Sequence, residues 1–165
     1  METNIDKASG FSFELVFPKL PGEVEITANE ELAINIFGAV IPGLNMDTVE
    51  QNWQGGKVQN ATGMLTFEPL NIQYMVDSKF LNWYLLYKWM TFINNNKDKY
   101  IDNPLDYSVD ATIRIVDNFQ EETFRIFFTN VWISTLGEVT LSYREGETIL
   151  ESTANFAYDR FEVRY

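Results

Sequence analysis

"LNIQYMVDSKFLNWYLLYKWM", Leu70 to Met90, changes its period halfway along. Leu70, Ile72, Tyr74 and Val76 align on one face of an extended segment, which is the mark of a strand with one buried side. Asp77 or Ser78 then caps a helix over about 78–93. Wrapped at 100° per residue, that helix puts Leu81, Leu85, Trp89 and Phe92 on one side and Trp83, Leu86, Tyr87 and Met90 largely on the other. Lys79, Asn82, Lys88 and Thr91 are scattered and leave no continuous wet arc. A helix that is apolar all round is buried all round. A small domain with a single helix covers one side of it, so the second cover is either another protein chain or the segment 94–107 folded back.

Working outward, the remaining segments read as strands. "FSFELVF" (Phe11–Phe17) alternates cleanly, "EVEI" and "LAINI" (Leu32–Ile36) continue the period of two, and "IPGL" (Ile41–Leu44) marks a bend. A long hairpin spans about 44–64, with Gly55 and Gly56 at its tip. Its arms, "NMDTVEQNW" and "KVQNATG", are amide-rich and weakly patterned, as expected of strands whose faces are not simply core and water. "MLTF" precedes the opening stretch, and "VDATIRIV", "ETFRIFFTNVW", "EVTLSYR" and "ILESTANFAYDRFEV" follow it. The expected fold is mainly β: an antiparallel sandwich or barrel of about eight strands with one helix, forming a single domain over residues 1–165.

Composition narrows the function. The chain has 165 residues, 45% of them hydrophobic and 15% aromatic, enough to fill a real core. It contains neither Cys nor His, which excludes disulfides, thiolate metal sites and any triad built on His. No apolar run is long and unbroken enough to be a membrane segment. The formal charge is −12, from 24 acids against 12 bases, and the Lys and Arg do not cluster along the sequence as phosphate-backbone binding requires. The acidity serves either solubility or the repulsion of something anionic.

No catalytic constellation is visible. Glu30–Glu31 and Glu121–Glu122 are neighbours that point to opposite faces of a strand. Asp102, Asp106 and Asp110 recur every four residues, unlike the alternating ligands of a calcium loop. With no phosphate loop, nucleotide fingerprint or metal motif, the expectation is a non-enzyme without metal or cofactor.

The order of these segments carries a resemblance. A Phe-rich first strand, the bend "FGAVIPGL", a polar hairpin with glycines, "LTFEPLNIQYMVD", the helix "FLNWYLLYKWM" and the closing "FFTNVWISTLGEVTLSY…ESTANFAYDRFEV" together resemble the tail tube proteins of contractile-tailed bacteriophages, whose relatives include the inner tubes of contractile injection systems. The resemblance runs from about Phe11 to Val163. One departure is "NATG" in the hairpin's return arm, where the family pattern has Pro-Gly. The resemblance implies a structural virion protein: hexameric rings of this chain stack into a hollow tail tube, assembled in the host bacterial cytoplasm. Sheath and baseplate proteins surround such a tube, and double-stranded DNA passes through it without specific binding. A tube-end protein, initiator or terminator, is the alternative on the same fold. A ligand- or carbohydrate-binding β-sandwich using exposed Trp and Tyr is the alternative of another class. On this reading Asp47 and Glu50, with Glu23 and Glu25 behind them, are candidate acids facing the channel. Trp83, Leu86, Tyr87, Met90, Trp53 and Val49 are candidate interface residues between subunits.

Overall fold

The computed structural model describes residues 12–21, 32–100, 106–116, 122–141 and 149–164. Among these, nine strands, β1 (Ser12–Phe17), β2 (Leu32–Ala39), β3 (Leu44–Trp53), β4 (Gly56–Phe67), β5 (Leu70–Met75), β6 (Val109–Val116), β7 (Glu122–Leu136), β8 (Glu151–Ala157) and β9 (Arg160–Arg164), accompany α1 (Leu81–Asn95) and the short α2 (Lys97–Tyr100). Their pairings are all antiparallel. Six strands close on themselves in the order β1-β2-β5-β8-β7-β6 and back to β1, so the barrel is realised rather than two separate sheets.

Closure works because period-two segments surround one core. β5 alternates buried and exposed residues along its whole length, placing Leu70, Ile72 and Tyr74 inside. Leu15, Phe17, Ile34, Ile113, Ile126, Phe128, Ile133 and Phe156 join them from the other staves. The closing segment "ILESTANFAYDRFEV" behaves as one strand in two pieces. β7 pairs with β8 at Trp132↔Ala157 and with β9 at Thr129↔Arg160, in one register across the break at Tyr158–Asp159, and a further shift against β8 falls between Ile133 and Thr135. Asn130, in the left-handed region at φ 55°, lies opposite the break and donates from Nδ2 to Asp159 Oδ2 at 2.6 Å.

Helix α1 starts three residues later than the sequence suggests and ends two residues later; its N-cap position is Phe80, at φ 57°, and the Asp77 side chain supplies acceptors to the first turn from three residues before it. The Asp77 carboxylate accepts from the backbone N–H of Lys79 at 2.9 Å, Leu81 at 2.8 Å and Asn82 at 3.3 Å, satisfying N–H groups that the first turn leaves without partners. The buried stripe is Asn82, Leu85, Leu86 and Trp89, at the i, i+3, i+4, i+7 spacing of one helical face. Trp89 meets the ring of Phe17 edge-on at 5.4 Å and donates from Nε1 to the Tyr107 carbonyl at 2.9 Å. Asn82 bonds the Met75 carbonyl at 2.8 Å, tying the helix to the end of β5.

Two sequence expectations need correcting here. Leu86 is fully buried in the chain's own core, so it cannot face a neighbouring subunit; the stripe is rotated relative to the expected one, which moves Leu86 in and leaves Leu81 half exposed. The hydrophobic count around the helix is nearly even, so it could not fix that rotation. Within "EVTLSYR", residues 138–141 are irregular rather than strand, and the rest of that segment lies outside the described residues. "EVEI", with Glu23 and Glu25, lies outside them as well.

Candidate assembly surfaces

Three surfaces leave the barrel incomplete. The first is the hairpin arm, β3 paired with β4 as a separate two-stranded sheet. Its strands rise to a turn at Gln54–Gly55, where Gly55 adopts φ 90°. At about 3.3 Å per residue the arm is roughly 30 Å long. Every residue from Leu44 to Thr66 is exposed, including Met46, Val49, Val58, Met64, Leu65 and, at 68%, Trp53. A two-stranded ribbon of this kind is marginal alone in water. Its root is anchored: Phe67 packs against Tyr158 and Phe161, Glu68 N–H donates to the Gly43 carbonyl, and the Tyr158 hydroxyl donates to the Glu68 carbonyl at 2.5 Å. Burial, reinforced by the Glu68 carboxylate, pushes the Tyr158 hydroxyl up to about 12.

The arm has two different faces. Leu44, Met46, Thr48, Glu50 and Asn52 alternate with Asn45, Asp47, Val49, Gln51 and Trp53. Opposite Asp47 the β4 strand bulges over Thr62-Gly63-Met64, with Gly63 at φ 80°, while β3 keeps its alternation. Asp47 and Glu50 therefore lie at positions of opposite parity on β3. Glu50 is also matched by Lys57 at 3.1 Å.

The second surface is the outer side of α1. Trp83 and Tyr87 stack with centroids 5.7 Å apart and planes 7° from parallel, and Lys88 sits over the Tyr84 ring at 5.3 Å. Tyr84 and Tyr87 are nearly half exposed, while Trp83 and Met90 are partly covered. The Trp83 Nε1 atom is buried without a hydrogen-bond acceptor among the described residues. Among the expected interface residues, Tyr87 is exposed on this side of α1, Trp83 and Met90 are partly buried and pack against the chain's own core, and Val49 and Trp53 lie together on one face of the arm. The structure does not bring the two groups into one patch.

The third surface escapes sequence reading. Direct pairing places Arg114 beside Arg125 and Arg125 beside Arg164, with Glu14 opposite Arg114 at the far end. Ile113 and Ile126, the neighbours of opposite parity, fill the core, so this row faces outward. Glu14 accepts from Arg114 at 2.9 Å, and the Arg125 and Arg164 guanidiniums lie over the Phe127 ring at 5.7 and 4.7 Å. Arg160 shares the outward face of β9. Four of the chain's five arginines thus gather on one side of the barrel, although no two of them are closer than four positions in the sequence. The expectation that basic residues do not cluster holds along the chain and fails in space. The only signal that could have found the row is strand register, which sequence alone does not supply. Among the described residues no group of carboxylates is arranged to hold a metal ion, and no helix is long and apolar enough to cross a membrane.

With the fold and its exposed surfaces described, the chain can be set beside known proteins. The tail tube terminator protein of Enterobacteria phage T4 is 29% identical over 139 residues, covering 79% of this chain and 77% of that protein. Among solved structures, a chain in the sheath/tube terminator of the extracellular contractile injection system PVC, in its extended state, superposes with a TM-score of 0.62 at 14% identity over 100% of this chain and 99% of that one. A chain in the tube terminating cap of the anti-feeding prophage gives 0.56 at 14% identity, covering 99% of each. Hcp1 from the E. coli EAEC 042 pathovar gives 0.59 at 15% identity over 93% of this chain and 91% of its own. At these identities the structural likeness shows a shared fold. Residues 7–164 match the phage tail tube protein family across nearly the whole length, and the chain belongs to that family.

Proposed function

We propose that this chain is a non-enzymatic structural subunit of a tail tube, forming six-fold rings that stack into a hollow conduit for DNA. The observation that carries the reading is the arm: roughly 30 Å of exposed two-stranded sheet, tipped by Trp53, on a domain whose family builds tubes. Such a ribbon gains its stability from a second surface, and an arm that leaves one subunit to meet another makes a heterologous contact that can close or stack. The outer side of α1, with Trp83, Tyr87 and Met90, supplies a further contact, either to a neighbouring subunit or to a surrounding sheath. The charge of −12 suits a conduit that must repel phosphate rather than hold it.

A second reading places the same subunit at the end of the tube as a terminator. It is favoured by the 29% identity to the T4 terminator and by the two solved terminator or cap structures that share the fold. Immunogold labelling of intact tails separates the two. Label along the tail length marks the main tube subunit, and label confined to one end marks the terminator. Negative-stain images of the purified protein test the common premise; a monomer at every concentration by light scattering would overturn both readings.

A further inference from the structure

The arm leaves the barrel by two chain crossings, the bend that leads into β3 and the step from β4 to β5 at Glu68–Pro69. The crossings are tied together where the Glu68 N–H donates to the Gly43 carbonyl at 3.2 Å. Two strands bonded to each other make a ribbon, and a ribbon held only where its strands enter can swing about that line. At roughly 30 Å of length, a swing of about 10° moves the tip by about 5 Å, beyond the ~4 Å reach of an apolar contact. A contact made by Trp53 or Val49 therefore needs the swing to be fixed at the root.

The root holds the features that fix it. Phe67, the last residue of β4, meets the rings of Tyr158 at 6.1 Å and Phe161 at 5.6 Å, both edge-on. Those two rings meet Phe128, buried in the core, at 5.0 and 5.7 Å, so four aromatics run unbroken from the arm to the barrel interior. Edge-to-face pairs carry a geometric preference beyond the area they bury. The Tyr158 hydroxyl adds a directional hold, donating to the Glu68 carbonyl at 2.5 Å beside the crossing. Tyr158 and Phe161 stand three positions apart, a spacing that an uninterrupted strand turns to opposite faces. The break between β8 and β9 removes one step of that alternation and brings both rings to the same side. Its own bonds hold the break: the Asp159 N–H donates to the Thr129 carbonyl at 3.0 Å, and the Asp159 carboxylate accepts from Asn130 at 2.6 Å.

We propose that Tyr158 and Phe161 are positioning residues for assembly: through Phe67 and Glu68 they clamp the arm at one angle to the barrel, so that it meets a second copy of this chain already aimed. The use of the clamp rests on the self-assembly reading above, whereas the clamp itself rests on contacts within one chain. An arm free to swing would have to be ordered at the moment of contact. Its affinity would fall in proportion to the fraction of time spent at the productive angle. The break in the closing strand thereby has a consequence at the tip, roughly 30 Å from the root.

Single-molecule FRET reads the angle directly. The chain contains no Cys, so Asn52→Cys near the tip and Glu151→Cys on β8, both at exposed positions, place two dyes, and picomolar dilution keeps the molecule monomeric. The wild-type arm should show one distance, with a donor lifetime that matches the mean transfer efficiency. Phe67→Ala should separate those two values, the sign of a distance that varies. It should also raise the concentration at which unlabelled protein assembles, read by mass photometry, by about tenfold. Tyr158→Phe keeps the ring and is the milder variant, with the same two changes and a rise of about threefold. If Phe67→Ala fails to fold, Tyr158→Phe decides alone. A merely structural loss of this size leaves the folded fraction near one at neutral pH and moves neither reading. A wild-type arm that already varies in distance overturns the clamp, and so do variants that keep the single wild-type distance. Variants whose arms swing yet assemble at the wild-type concentration overturn the positioning role. A wild-type chain whose arm is fixed but that never assembles overturns the self-assembly reading and leaves the clamp standing.

Discussion

The barrel strand β5 and the arm strand β3 are both regular antiparallel strands, and they could hardly be more different in what holds them. Along β5 every second residue is buried, and Leu70, Ile72 and Tyr74 each contribute a side chain to one core. Along β3 no residue is buried, although Leu44, Met46, Val49 and Trp53 are as apolar as anything in β5. Backbone pairing alone therefore does not distinguish a stave from an arm. What distinguishes them is whether the apolar alternation has a surface to meet inside the same chain. Where it has none, the apolar residues stand as an unfilled demand, and this protein concentrates that demand in the arm and on the outer side of α1.

Substitutions break this comparison in graded steps. The largest effect belongs inside the barrel: Trp89→Ala removes a fully buried ring packed on Phe17 and Phe156 together with its bond to Tyr107. It should cost about 3–5 kcal/mol in urea unfolding of the monomer. Asp77→Ala, at the junction between β5 and α1, removes the acceptor for three N–H groups and should cost about 1–2 kcal/mol. Circular dichroism should show the helix fraying at its start while the barrel signal persists.

At the root of the arm, Tyr158→Phe deletes the hydroxyl bonded to the Glu68 carbonyl, with an expected loss of about 1 kcal/mol at neutral pH. The same residue gives a pH signature. Its hydroxyl titrates at about 12 in the folded chain against about 10 in the unfolded one, so over that window the folded state holds a proton that the unfolded state has released. Stability from this group is complete below pH 10 and is lost as pH rises toward 12. Tyr158→Phe should flatten that part of the alkaline unfolding curve, and an unchanged slope would show that Tyr158 is not its source. The smallest effect on folding belongs to the arm's tip. Trp53→Ala should move monomer stability by no more than about 0.5 kcal/mol, yet raise the concentration needed for assembly. If Trp53→Ala destabilised the monomer as much as Asp77→Ala, the arm would have to be packed in its own chain, and the contrast with β5 would fail.

How much of this was legible in the sequence differs element by element. The alternation in "FSFELVF" and "LNIQYMV" identifies core strands because burial on one face imposes a period of two that nothing else in the chain imitates. The weak pattern of "NMDTVEQNW" identifies an arm for the converse reason, and the glycines locate its tip to within one residue of the turn at Gln54–Gly55. Asp77 is legible as a cap because the need of free N–H groups is local. The rotation of α1 was not legible: with apolar residues all round, only contact with Phe17, Phe156 and the end of β5 decides that Leu86 turns inward and Tyr87 outward. Asp47 and Glu50, both named as channel-facing candidates, stand three residues apart on β3, an odd spacing that a strand turns into opposite faces.

Sequence by itself thus determined the class of fold, the position of the arm, the capped helix, and the absence of Cys and His chemistry, all of which depend on composition or on neighbours a few residues apart. Only the tertiary structure decided that six strands close into a barrel and that the helix presents one particular side. It also decided that Arg114, Arg125 and Arg164 line up across β6, β7 and β9. Those features depend on which distant strands pair and in what register. That choice is made by burying one shared core, a property of the whole chain that no short stretch contains.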